Sequence, residues 1–213
     1  MIEKFYDGKS MSFMKKFLHV GCGTRKKSNT TGGFNTDDWL EIRYDIDKSV
    51  APDYVGSMTD MKVIEDGSVD GIFSSHNIEH LFPYEVPMAM TEFLRVLNDN
   101  GVVILTCPDL KSVCELVIED KLVETVYESE VGPITPLDII FGHRGSIQQG
   151  NLYMAHKCGF TEKVLSATFD AAGFMNNATV CRGAPHFDIW SVATKNKRSN
   201  EELKKIVEEH FPE

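Results

Sequence analysis

A short apolar run meets two glycines one residue apart in Phe17-Leu18-His19-Val20-Gly21-Cys22-Gly23, and this junction constrains the chain more than any other. The run reads as a parallel strand buried in a sheet, and the glycines as the tight turn at its carboxyl end. Glycine there lets backbone N–H groups approach a ligand with no Cβ in the way, and in an open α/β sheet that turn is where a nucleotide-like ligand sits. Alone, the pattern also fits an ordinary strand end.

The residues that follow add weight. Thr24 to Trp39 has almost no apolar periodicity, and Gly32-Gly33 interrupts it, so a shortened or irregular first crossover is expected where an amphipathic helix is usual. Leu40 to Asp47 reads as a second strand ending in acids, Val55 to Met58 as a short third, and Val69 to Ser74 as a fourth. Pro83 to Leu97 places Ala89, Met90, Phe93, Leu94 and Leu97 at three- and four-residue spacing, an amphipathic helix stopped by Asn98-Asp99-Asn100-Gly101. Gly101 to Asp109 is a continuous β-branched run, hence a strand buried on both faces, and Asp109 can cap the helix after it. Thr161 to Ala172 is a further helix, Asn177 to Cys181 and Phe187 to Thr194 are two last strands, and Asn200 to Phe211 is a terminal amphipathic helix. Residues 1–14 read as a loop or short helix. Residues 120–160 lack clear periodicity and are expected to form a lid or acceptor-binding insertion in a single domain spanning 1–213.

A formal net charge of -10 argues against a nucleic-acid backbone or an anionic membrane as partner, because phosphate contacts come from clustered Lys and Arg. The five cysteines show no C-x-x-C pair and form no zinc or disulfide framework. No run of 18 apolar residues is present, and a reducing, cytoplasmic location without a targeting segment is expected.

Three strand ends carry the chemistry. The glycine turn follows the first strand, Asp45 ends the second, and Ser74 and Ser75 end the fourth; in an α/β sheet these converge on one crevice, where a carboxylate can accept both ribose hydroxyls of an adenosine. With these residues in view the chain resembles the class I S-adenosylmethionine-dependent methyltransferases, in particular the small methyltransferase-domain proteins. The resemblance is carried by LHVGCG, RYDID, VDGIFSSHNIEHL, EFLRVLNDNGVVILTCPD and HKCGFTEKVLSATFDAAGF, in that order, between about Lys16 and Thr194. It implies a Rossmann-like, doubly wound α/β sheet of about seven strands, mostly parallel with an antiparallel last strand. It also implies S-adenosyl-L-methionine as cofactor, with in-line methyl transfer to an unidentified acceptor, expected to be a small molecule. Carried over by residue, Gly21, Cys22, Gly23 and Thr24 would line the methionine part of the cofactor. Asp45 would take the ribose, Ile46 and Met58 would flank the adenine, and Ser75 and His76 would sit on the sulfonium side.

For removal of an acceptor proton the candidates are His156 and His143, the histidines of the 120–160 segment. His80 reads as structural. His76 and His80 have i, i+4 spacing without an evident third ligand, so no metal is expected. Two other readings remain. Tyr153-x-x-x-Lys157 imitates the catalytic pair of NAD(P)-dependent short-chain oxidoreductases, and a methyltransferase fold can bind S-adenosylmethionine or a partner without catalysis.

Overall fold

The computed structural model describes residues 14–212 and, before them, the antiparallel pair Phe5–Tyr6 and Lys9–Ser10. That pair stands where a loop or short helix is expected; the rest of the lead-in lies outside the described residues. Seven strands form the central sheet: β1 (Lys15–Val20), β2 (Trp39–Asp45), β3 (Tyr54–Val55), β4 (Val69–Ser75), β5 (Leu97–Pro108), β6 (Asn176–Arg182) and β7 (Asp188–Thr194). Their spatial order is β3-β2-β1-β4-β5-β7-β6. Strand β7 runs antiparallel to both β5 and β6, while β1 to β5 pair in parallel. The order reverses between β1 and β4, and a crevice opens there at the carboxyl ends of the strands.

One face of the sheet is covered by α1 (Val86–Val96) and α5 (Glu162–Ala172). Ala89, Met90 and Phe93 of α1 and Leu165 and Phe169 of α5 are fully buried against Leu18, Ile72, Val103 and Leu105. Each of the larger of these side chains contributes about 1.5–3 kcal/mol of transfer free energy. Thr161 caps α5 by accepting from Val164 N, and Gly173, at φ +98°, ends it. Asp109 caps α2 (Leu110–Ile118) by accepting from Lys111 N and Ser112 N.

The first crossover is irregular, as its sequence implies: between β1 and β2 there is one 3-10 turn, Lys27–Asn29. The sheet face that a helix would cover is filled from elsewhere. Phe34 stacks on Phe17 with centroids 4.5 Å apart, and α6 (Asn200–His210) lays Leu203, Ile206 and Val207 on the cluster of Phe17, Phe73, Ile104 and Val192. Two bonds lock the C-terminal helix to the crossover: Gly33 N donates to Glu209 O at 2.8 Å, and Thr31 Oγ1 shares a hydrogen with buried His210 Nδ1 at 2.6 Å.

Three expected boundaries shift. Strand β5 begins at Leu97, because Leu97 already pairs with Val69 before a bulge restores the register at Gly71 and Val102. Helix α1 therefore ends at Val96, before the polar Asn98–Asn100 stretch. Strand β3 is only Tyr54–Val55, since Gly56 N turns back to Asp45 O and Tyr44 Oη donates to Ser57 O. The 120–160 segment is built rather than loop-like: the strands Tyr127–Ser129 and Gly132–Ile134 pair, and α3 (Pro136–Phe141), α4 (Arg144–Gln148) and the turn Leu152–Met154 follow. Ile134 and Ile139 pack there against Val113 and Phe187 in a small cluster of their own.

Candidate active site

The carboxyl ends of β1, β2 and β4 open into a cleft of about 360 Å³. Gly21 and Gly23 form its floor beside Asp45, and both have positive φ, +64° and +51°. At Gly21 a Cβ would lie 1.9 Å from Asn77 Oδ1. Asn77 occupies that space for a reason: its Nδ2 donates to Val20 O, Gly21 O and Ser75 O, joining the ends of β1 and β4. Nothing within 4 Å would oppose a Cβ at Gly23, so that glycine answers to backbone conformation and the open cleft.

Strand β2 grips this turn. Asp45 is buried; its Oδ2 accepts from Gly23 N at 2.7 Å and its Oδ1 from Asp47 N at 2.8 Å. Arg43, also buried, donates not to Asp45 but to the carbonyls of Gly23, Arg25, Val50 and Ala51. Each carboxylate oxygen of Asp45 keeps acceptor capacity beyond its backbone bond.

Of the residues assigned to the cofactor from sequence, Gly21, Gly23, Asp45, Ile46, Met58, Ser75 and His76 come together in the cleft wall. Cys22 and Thr24 do not line it. Cys22 is buried, with its N–H turned to Tyr44 O, and burial pushes its thiol up to about 11; Thr24 is exposed. Ile46 is 47% exposed, an apolar surface open toward the cleft.

Asn151, Tyr153, Met154 and Lys157 reach the cleft from the 120–160 segment. Tyr153 sits on the 3-10 turn and Lys157 beyond it, with Lys157 N donating to Glu79 O at 2.8 Å and its Nζ 4.7 Å from the Phe82 ring centre. The two do not share a helix face, the arrangement the oxidoreductase pair requires. Neither His143 nor His156 lines the cleft. His143 is the N-cap of α4, its Nδ1 accepting from Ser146 N. His156 faces Ile139 O through Nδ1 at 2.7 Å, and its ring is 4.8 Å from that of His80, which does line the cleft. Burial holds His156 below the ordinary histidine value.

Two residues in the turn after β4 escaped the sequence reading. Asn77 resembles any turn asparagine in sequence; the signal that could have found it is the need for a side chain against Gly21. Glu79, which in sequence is one residue of VDGIFSSHNIEHL, is buried and faces His76, whose Nδ1 is 3.6 Å from Oε1. Burial opposes charge on Glu79, but its attraction to the half-exposed His76 outweighs this, lowering Glu79 and raising His76 from their usual values. The i, i+4 pair His76 and His80 gains no third partner of its own, but the fold brings His156 to His80 and Glu79, one ligand atom of each lying within 4.8 Å of the others.

The segment from β1 to β5, residues 18–105, matches the methyltransferase domain family. Over those residues the chain resembles a methyltransferase domain. The cleft residues fit S-adenosyl-L-methionine: two glycines without Cβ at the turn, a carboxylate with spare lone pairs at the end of β2, and apolar Ile46 and Met58 beside it. Solved structures share the fold at low identity. A protein of Pyrococcus horikoshii is 14% identical with a TM-score of 0.56, over 86% of this chain and 83% of its own. An S-adenosylmethionine-dependent methyltransferase of Methanosarcina mazei is 13% identical with a TM-score of 0.55, over 85% and 93%. The 1,6-didemethyltoxoflavin-N1-methyltransferase of Burkholderia thailandensis, solved with S-adenosylhomocysteine, is 12% identical with a TM-score of 0.52, over 88% and 73%. No curated protein matches the chain. Among the described residues, no helix is long and apolar enough to cross a membrane.

Proposed function

We propose that the chain transfers a methyl group from S-adenosyl-L-methionine to a small-molecule acceptor held between the strand ends and the 151–157 segment. The observation that carries this reading is that one cleft is lined from both sides: Gly21, Gly23 and Asp45 on the sheet side, and Tyr153, Met154 and Lys157 on the other. When bound, the cofactor supplies a methyl group already activated on its sulfonium, so alignment and exclusion of water are the tasks left to the protein. Asp45 accepts the ribose hydroxyls. Ile46 and Met58 offer the adenine an apolar wall. Gly21 and Gly23 let the methionine part lie against backbone, and Ser75 and His76 border the sulfonium side.

The 120–160 segment covers the acceptor side and selects the acceptor. Its place is fixed by Lys157 N and Cys158 N, both donating to Glu79 O, and by His156 N donating to Phe141 O. His156 acts on this site through His80 rather than by direct contact and is in that sense a positioning residue. Solved methyltransferases with this fold hold small molecules, 1,6-didemethyltoxoflavin and phosphomonomethylethanolamine, which favours an acceptor of that size. The test is a screen of small-molecule metabolites with the purified chain and S-adenosylmethionine labelled in its methyl group. Label in a small product that depends on Asp45 supports the reading; label only in protein or nucleic acid replaces the proposed acceptor class.

A further inference from the structure

Glu79 is 1% exposed, and neither of its carboxylate oxygens has a hydrogen-bond partner among the described residues. A carboxylate held out of water in this way is costly unless a cation lies against it. The nearest ring, His76, stands at 3.6 Å, beyond hydrogen-bond reach. Two further imidazoles complete the surroundings. His80 turns Nδ1 to Ala155 O at 3.2 Å, and His156 turns Nδ1 to Ile139 O at 2.7 Å. A carbonyl oxygen can only accept, so in each neutral ring Nδ1 carries the hydrogen and Nε2 keeps its lone pair. Metal-binding histidines are held in this way, with one ring nitrogen donating to a backbone carbonyl or carboxylate and the other free for the ion.

We propose that Glu79, His80 and His156 form a three-ligand site for a divalent transition-metal ion of the zinc class, set in the wall of the cleft. Their donor atoms lie within 4.8 Å of one another. A tetrahedral ion with bonds of about 2.0–2.1 Å needs donors about 3.4 Å apart, so the ligands close inward by roughly an ångström on binding. No hydrogen bond of the Glu79 oxygens has to break for its part of that movement, and rotation of the two imidazole rings supplies the rest. The backbone does not have to move, because Lys157 N and Cys158 N already tie the His156 segment to Glu79 O.

Two imidazoles and one carboxylate suit zinc and its neighbours. Calcium and magnesium would want a shell of oxygens. Three protein ligands also leave a fourth position for water or another ligand, and His80 puts the ion beside the space assigned to the acceptor. The donor set stands on its own and does not depend on which acceptor is methylated.

The test uses the full chain freed of metal with a chelator and titrated with Zn²⁺ by calorimetry, with Co²⁺ as a spectroscopic probe. The wild type is expected to bind one Zn²⁺ per chain with a dissociation constant of about 1 µM or tighter. Glu79→Gln and the double variant His80→Gln/His156→Gln should each weaken binding by more than about 100-fold, beyond what loss of a supporting partner costs. The visible Co²⁺ bands should vanish with them, and His143→Gln should bind as the wild type does. Circular dichroism checks the fold of each variant, and the wild-type titration stands whether or not the variants fold. Absence of zinc binding by the wild type overturns the site and leaves Glu79 to His76 alone. Equal binding by wild type and Glu79→Gln overturns it as well, placing the ion on cysteines or surface groups.

Discussion

Gly23 N–H donates to Asp45 Oδ2 across 2.7 Å, so the carboxylate assigned to the cofactor is also the group that holds the glycine turn. Arg43, two residues earlier on the same strand, bonds the carbonyl of that glycine. Asp45 therefore couples folding of the turn to binding. In Asp45→Ala, bonds to a charged acceptor worth about 1.5–3 kcal/mol each are lost, and affinity for S-adenosylhomocysteine should fall roughly ten- to several hundred-fold. Gly23 N and Asp47 N lose their acceptor too, so unfolding free energy should drop by about 1–3 kcal/mol. Calorimetry and urea unfolding read the two effects separately. Unchanged affinity with reduced stability would leave Asp45 with the turn alone.

Gly21→Ala meets two obstacles at once: a φ of +64° and the Asn77 side chain 1.9 Å from the new Cβ. Asn77 cannot withdraw without leaving Val20 O, Gly21 O and Ser75 O. The expected cost is about 2 kcal/mol or more in urea unfolding. A second variant, Gly23→Ala, meets only the conformational strain and should cost less. Equal costs would show that Asn77 yields freely.

His210 joins the C-terminal helix to the first crossover, and burial lowers its pKa to about 4. The unfolded chain, with an ordinary value near 6.5, binds the proton more readily, so stability falls as pH drops from about 6.5 toward 4. The slope approaches about 1.4 kcal/mol per pH unit, for a loss of about 2 kcal/mol at pH 5 relative to pH 7. His210→Gln removes this titration. Urea unfolding of both proteins at pH 5 and 7 should therefore show a smaller pH difference in the variant; identical differences would mean His210 protonates without opening the contact.

His143 lies outside the cleft lining and caps α4. His143→Ala should lower stability by about 1 kcal/mol, the usual cost of a lost cap, and leave affinity for S-adenosylhomocysteine unchanged. A loss of affinity with stability retained would bring His143 back toward the site.

How far the sequence discloses this protein depends on the range of the interaction. The strand that runs into Gly21-Cys22-Gly23, the Thr161 cap and Gly173 stop of α5, and the apolar stripe of α1 are local patterns, and each lies where its pattern implies. The polar first crossover was legible as irregular, but not that Phe34 and α6 would fill its place, because the α6 stripe reveals an apolar face and not its partner. Strand β5 starts early since Leu97 pairs with Val69, while Asn98, Asp99 and Asn100 look like a stop signal in sequence. The ends of β1, β2 and β4 converge as the crossover rules require. The meeting of Glu79 and His80 with His156 is invisible in sequence, because it depends on how the 120–160 segment folds back across the sheet ends.

The central claim is that the cleft at Gly21, Gly23 and Asp45 binds the methyltransferase cofactor, and it is tested most directly by calorimetric titration of the full chain with S-adenosylhomocysteine and, separately, with NADP. One S-adenosylhomocysteine per chain, with no heat from NADP, is the result predicted; saturable NADP binding with no response to S-adenosylhomocysteine would contradict it.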